Sequence, residues 1–176
     1  YFKKVADLGG SEYTEQALTR VCEIYIGKND YNNALPYLQR LEEQADIQQN
    51  RTFAQSNLMK GYYEQGNYAQ TLAYAEKVLA TSSIDDRIRS DAHIMIARSA
   101  VQTNDMAKAE TAYAEVLKIA SGETAAEALY YDAYFKNEAG QLEASNTSVQ
   151  KLAKDFSSYK EWGGKGLVLM AKNFYA

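Results

Sequence analysis

Apolar residues recur along this chain at intervals of three and four, as in Leu72, Ala75, Val78 and Leu79, or Tyr113, Val116, Leu117 and Ile119. That spacing gathers them on one face of a helix, and no stretch alternates apolar and polar long enough to suggest a strand. The pattern predicts an all-α protein. It is interrupted at four places, Asn29-Asp30-Tyr31, Gly66-Asn67-Tyr68, Asn104-Asp105-Met106 and Gly140-Gln141-Leu142, which stand 37, 38 and 36 residues apart. Each triplet opens with Asn or Gly, the residues that most readily take the left-handed conformation that ends a helix. Each closes with an apolar residue suited to staple the next one.

The regularity extends to either side of these turns. Twelve residues before them lie Ala17, Ala54, Ala92 and Ala128, a series that Gly166 continues, so two backbones can approach closely there. Five residues after them come Ala34, Thr71, Ala109 and Ser145, and seven further on Leu41, Val78, Val116 and Leu152. Each repeat thus predicts two helices meeting on columns of small and apolar residues. Pro36 is expected within about the first turn of a second helix, where no intrahelical amide is needed. Ser83 with Asp86, and Ser158 with Glu161, have capping-box spacing, and the pairs Gly9-Gly10 and Gly163-Gly164 read as helix boundaries.

The order small residue, Tyr or apolar, Gly or Asn turn, aromatic, Ala, apolar resembles the tetratricopeptide repeat, most clearly in the run from Asn57 to Tyr68. The resemblance covers almost the whole chain. It implies a right-handed α-α superhelix, a solenoid of antiparallel helix pairs with nine to ten helices including partial terminal repeats. One domain, 1–176, would comprise a partial repeat at 1–10, repeats at about 11–48, 49–84, 85–121 and 122–158, and a partial repeat at 159–176. Both ends cut a repeat open, so the chain reads as a fragment of a longer protein. The family's usual period is about 34 residues, and the longer one here resembles divergent repeats of periplasmic and outer-membrane-associated bacterial proteins. The family's first-helix tryptophan and closing proline are missing. In the fourth pair Asp132 and Lys136 take slots that should be apolar, at a spacing that suits an ion pair on a rotated helix.

Composition narrows the function. Nineteen basic against 23 acidic residues give a net charge of −4, which removes the general phosphate attraction of nucleic-acid binders. No apolar run approaches the roughly 18 residues of a membrane helix. Cys22 is the single cysteine, so neither an internal disulfide nor a thiolate metal cage is available. His93, the single histidine, stands in a slot filled by Leu18, Leu129 and Leu167 in other repeats, which favours packing over catalysis. Asp86 and Asp91 near it lack a second histidine or cysteine to complete a metal site. No catalytic residue, metal or cofactor is therefore expected.

Applied to this chain, the family's groove of first helices would carry Lys60, Tyr63, Arg98, Tyr130, Tyr134 and Lys172. That mixture of aromatic and basic side chains suits a protein segment of acidic character. The expected function is a non-enzymatic protein-interaction scaffold, periplasmic or outer-membrane-associated, with the cytoplasm as the alternative. The chaperone-binding branch's carboxylate clamp is disfavoured, since among Thr19, Glu23, Asn57, Asp91 and Met95 only Asn57 matches. Rival readings are a structural spacer within a longer solenoid and, more remotely, a helical-repeat RNA binder. Open apolar ends would also allow self-association.

Overall fold

The structure is a computed structural model that describes residues 1–10 and 13–175. The expected repeat boundary near residue 11 and the final residue 176 lie outside the described residues. Among those described, ten helices and no strand occur. They are α1 (Phe2–Leu8), α2 (Thr14–Ile26), α3 (Tyr31–Gln44), α4 (Gln48–Glu64), α5 (Tyr68–Leu79), α6 (Asp86–Gln102), α7 (Met106–Ile119), α8 (Gly122–Glu138), α9 (Leu142–Asp155) and α10 (Lys160–Asn173). The chain divides into two compact units, Tyr1–Met95 and Ile96–Ala176, with the division falling inside α6. In the first unit each of α1 to α4 packs on the helix that follows it. In the second, α7 packs on α8, α8 on α9, α9 on α10, and α8 also on α10. This is the all-α solenoid packing that the periodicity predicts.

The four turns are built alike. Asn29, Gly66, Asn104 and Gly140 all have positive φ, at 55°, 70°, 59° and 73°. The next residue's amide reaches back five positions, with Asp30 donating to the Tyr25 carbonyl at 2.9 Å, Asn67 to Tyr62 at 2.9 Å, Asp105 to Ala100 at 2.8 Å and Gln141 to Lys136 at 2.8 Å. A second bond from the left-handed residue closes each Schellman motif, so two otherwise orphaned carbonyls are satisfied. The side chains of Asp30, Asn67 and Asp105 then cap the following helix by accepting from the amides of Asn33, Gln70 and Lys108. Gln141 makes no such bond.

The small columns are where helices touch. Ala54, Ala92 and Ala128 are fully buried, as are Ala34, Thr71, Ala109 and Ser145, and so are Leu41, Val78, Val116 and Leu152. Each large aliphatic side chain in this set contributes about 1.5–3 kcal/mol by leaving water. On α10, a Cβ added at Gly166 would stand 3.1 Å from Leu152 and 3.3 Å from Val149, so α10 lies closer to α9 than alanine comfortably allows. Leu167 and Val168 on the same helix are largely exposed, whereas Leu18 and Leu129, which share the Leu167 slot, are buried.

Three local expectations are corrected. Pro36 is the sixth residue of α3, beyond the first turn, and the helix runs through it. Its ring removes an amide donor to the Asn32 carbonyl, and both residues are exposed, so water can serve that carbonyl instead. The residue that caps α6 is Asp85, whose carboxylate accepts from the Ile88 amide at 2.8 Å, and Ser158 sits in the turn before α10 without capping it. Gly163 and Gly164 lie inside α10, where a Cβ would meet nothing, and no contact explains them.

Candidate interaction surface

Lys60 and Arg98 occupy the same register, six residues after Ala54 and Ala92. Both face a carboxylate from the next first helix, one residue before that helix's own column alanine. Lys60 Nζ lies 2.5 Å from Asp91 in the first unit, and Arg98 grips Glu127 through Nε at 2.9 Å and a second nitrogen at 2.5 Å in the second. Glu127 is 3% exposed, and its Oε1 also accepts from the Tyr113 hydroxyl at 2.9 Å. Burial, with the Glu127 charge beside it, holds the Tyr113 phenol far above its ordinary range. Tyr131 stacks on Tyr113 with centroids 4.2 Å apart. Two of the six expected groove residues are thus cations already engaged by carboxylates.

Two of the three aromatic members, Tyr130 and Tyr134, lie together on α8. Tyr130 and Tyr134 both pack edge-on against Tyr131, and Tyr130 also meets Trp162 of α10 at 5.7 Å. Lys165 lies 4.2 Å over the Trp162 ring. The four rings stay half-buried, and the indole N–H of Trp162 is buried with no partner among the described residues. Asp132 and Lys136 form the expected pair at 2.6 Å, and Ser148 of α9 joins both, which satisfies polar groups in slots that would otherwise be apolar. Tyr63 rests against Tyr68 in the first unit, while Lys172 is exposed near the end of α10. Sequence reasoning missed Glu127 and Asp91 as counter-ions, although the signal was present: each precedes a column alanine and follows its cation by 29 or 31 residues.

The first unit carries a cavity of about 680 Å³, with α4 on one side and the α5–α6 loop and opening turns of α6 on the other. Phe53 and Ile88 give it apolar wall, and Asn57 and Gln48 contribute amides. The Lys60–Asp91 pair borders it. Ser56 also lines it; this residue is 9% exposed, and its hydroxyl has no partner among the described residues. Asn57 donates to the Phe53 carbonyl at 2.8 Å, which fixes the orientation of its side chain.

On the second helices of the first unit, Glu42 accepts from Tyr74 at 2.8 Å, Lys77 at 2.8 Å and Gln55 at 3.2 Å. Burial would raise this carboxyl, but the hydrogen bonds from Lys77, Tyr74 and Gln55 outweigh it and hold it below the usual range. Cys22 is fully buried, and desolvation pushes its thiol up to about 12, far from the reactive thiolate. His93 is half-buried on α6. Among the described residues, no three His, Cys, Asp or Glu side chains converge to hold a metal ion, and no helix is long and apolar enough to cross a membrane.

No protein-family model matches the sequence, and no curated protein matches it either. A solved structure described as that of a MamA protein is similar in fold, with a TM-score of 0.65 at 13% identity over 94% of this chain and 88% of that one. At that identity the likeness speaks to architecture alone. Paired helices at a steady interval, Schellman turns in register and this tetratricopeptide-type neighbour together give the chain a tetratricopeptide-like helical-repeat fold.

Proposed function

We propose that this chain is a protein-interaction scaffold whose first helices receive a segment of a partner protein and whose activity is binding alone. The observation that carries the reading is the cavity between α4 and α6. Surfaces used only for packing one repeat on the next are closed, as the small-residue columns are, whereas this one is open and lined by both polar and aromatic side chains. Tyr63 offers further binding surface within the first unit, and Tyr130, Tyr134 and Lys172 offer surface of the same kind within the second, with Lys60 and Arg98 acting through their ion pairs. The interval of 36 to 38 residues, which resembles that of envelope-associated repeats, supports a role in cell-envelope assembly in the periplasm or at the outer membrane.

A photo-crosslinking amino acid placed at Tyr63 or Tyr134 should form covalent adducts with a protein in extracts of the source cells. The same group at Glu110, an exposed position on second helix α7, should form none. Adducts at all three positions in equal yield, or at none, would refute the reading. A spacer role is the second reading, and the engagement of Lys60 by Asp91 and of Arg98 by Glu127 favours it, since both cations serve cohesion between repeats.

A further inference from the structure

We propose that the outer face of α10 pairs with the same face of a second copy of this chain, the two helices running antiparallel about a two-fold axis. The face is apolar and open. Leu167, Val168, Phe174 and Tyr175 are 57% to 94% exposed, and with Gly163, Gly164 and Ala171 they form one stripe at helical spacing. Phe174 keeps a helical backbone, at φ −82° and ψ −15°, so the stripe continues past Asn173. Register shows what such a face receives. Leu167 and Ala171 stand 38 residues after Leu129 and Ala133, and on α8 those two pack on Leu152 and Val149 of α9. The stripe is therefore the side on which a first helix takes a partner helix, and among the described residues nothing covers it on α10.

The order of large and small residues selects the occupant. Gly163 and Gly164 lie six and five residues before Leu169, Phe174 and Tyr175 five and six after it, and Leu167 and Ala171 two to either side. An antiparallel copy centred at that level sets its two rings over the glycine pair and its Leu167 over Ala171, at both ends at once. Val168 meets its own counterpart. The glycines are otherwise unexplained, since each weakens a helix and a Cβ on either would meet nothing in this chain. A foreign helix would have to bring two large and two small residues at the same separation, whereas a second copy brings them by symmetry. The charged side chains Glu161, Lys165 and Lys172 stand along one edge of the stripe, where solvent reaches them, and Lys160 falls beyond the second copy's Tyr175.

Sedimentation of the intact chain from micromolar to millimolar concentration tests this. A helix pair of this length buries on the order of 1,000 Å² in all, the low end for a specific interface, so the midpoint should fall in the tens of micromolar. The average mass should rise from one chain to two and stop there. Gly164→Leu should weaken association about tenfold or more without lowering the melting temperature of the dilute chain, because a Cβ there has open space around it. Adding Tyr175→Ala to that variant should recover most of the loss, since the leucine then fills the room that the phenol leaves. Val168→Cys should form an interchain disulfide under mild oxidation, whereas Glu110→Cys, exposed on α7, should not. The proposal falls if the chain stays single throughout, or if its mass climbs past two, as end-to-end stacking of repeats would make it. It falls equally if Gly164→Leu associates unchanged, if the double variant recovers nothing, or if the two cysteine variants crosslink alike.

Discussion

The hydroxyl of Tyr113 donates to Glu127 at 2.9 Å, and the two side chains are 1% and 3% exposed, so each is the other's substitute for water. Tyr113 stands in a core column otherwise filled by Leu38, Ala75 and Val149. A phenol is tolerable there because a carboxylate waits at its tip, and the carboxylate is tolerable because Arg98 neutralises it. Tyr113→Phe should cost about 1–2 kcal/mol in urea unfolding, the value of one bond to a charged group. Glu127→Ala should cost about 3–5 kcal/mol by stranding Arg98 and the phenol together. A neutral Tyr113→Phe variant would mean that the bond is not formed in solution.

Stability should fall at both ends of the pH scale for different reasons. The Glu42 carboxyl is held low in the folded chain, so its contribution is present above the unfolded value of about 4.3 and is lost as pH falls through the folded one. Glu42→Gln should flatten that acid limb. The phenols of Tyr74 and Tyr113 are held high, chiefly by burial, so their contribution is intact below the unfolded value of about 10 and is lost as pH rises towards the folded ones. Melting temperatures measured from pH 3 to 11 test both limbs, and Tyr74→Phe should soften the alkaline one.

The turns predict substitutions of opposite sign. At Gly66, φ is +70° and a Cβ would meet nothing, so Gly66→Ala should cost about 1–2 kcal/mol purely through backbone conformation. Asn29→Gly, at φ 55°, should be neutral or slightly stabilising, because the same backbone loses its Cβ clash. Thermal melts in which Gly66→Ala proved harmless would show that the Schellman geometry is not what the chain adopts.

Two helical glycines make a further pair. A Cβ at Gly61 would lie 3.0 Å from both Leu35 and Tyr31, so Gly61→Ala should destabilise despite alanine's better helix propensity. Gly163→Ala in α10 meets open space and should add about 0.5–1 kcal/mol. Stabilisation by both would indicate that α3 and α4 are packed less closely than 3.0 Å implies.

The fold was legible because its signals are local and repeated. The left-handed Asn29 and Asn104, the buried Ala54, Ala92 and Ala128, and the pair of Asp132 with Lys136 all follow from sequence register and elementary sterics. Pro36 was misplaced by one turn because helix ends are set by caps whose competition is close, and at α6 Asp85 prevailed over Ser83. The surface was harder to read. What Lys60 and Arg98 touch depends on Asp91 and Glu127, about thirty residues away, and only packing of one first helix on the next brings them within reach. The cavity and the unsatisfied Ser56 leave no trace in periodicity, since a serine in a small-residue slot looks the same whether its hydroxyl is bonded or not.

Cys22 supplies a probe of breathing. Its thiol is buried and displaced to about 12, so a thiol reagent at pH 8 should label it only when α2 opens, with a rate that follows urea concentration. Immediate stoichiometric labelling in buffer would contradict the packing of α2 on α3.

Since the helices that pack on one another within each unit are next or next but one along the chain, the loops that must close as each unit folds are short and their entropy is small. Such architecture belongs with the fast folders, on a microsecond to millisecond scale. A nascent chain leaving the ribosome could therefore consolidate its early hairpins while the later ones are still being synthesised, with no need to wait for a distant strand.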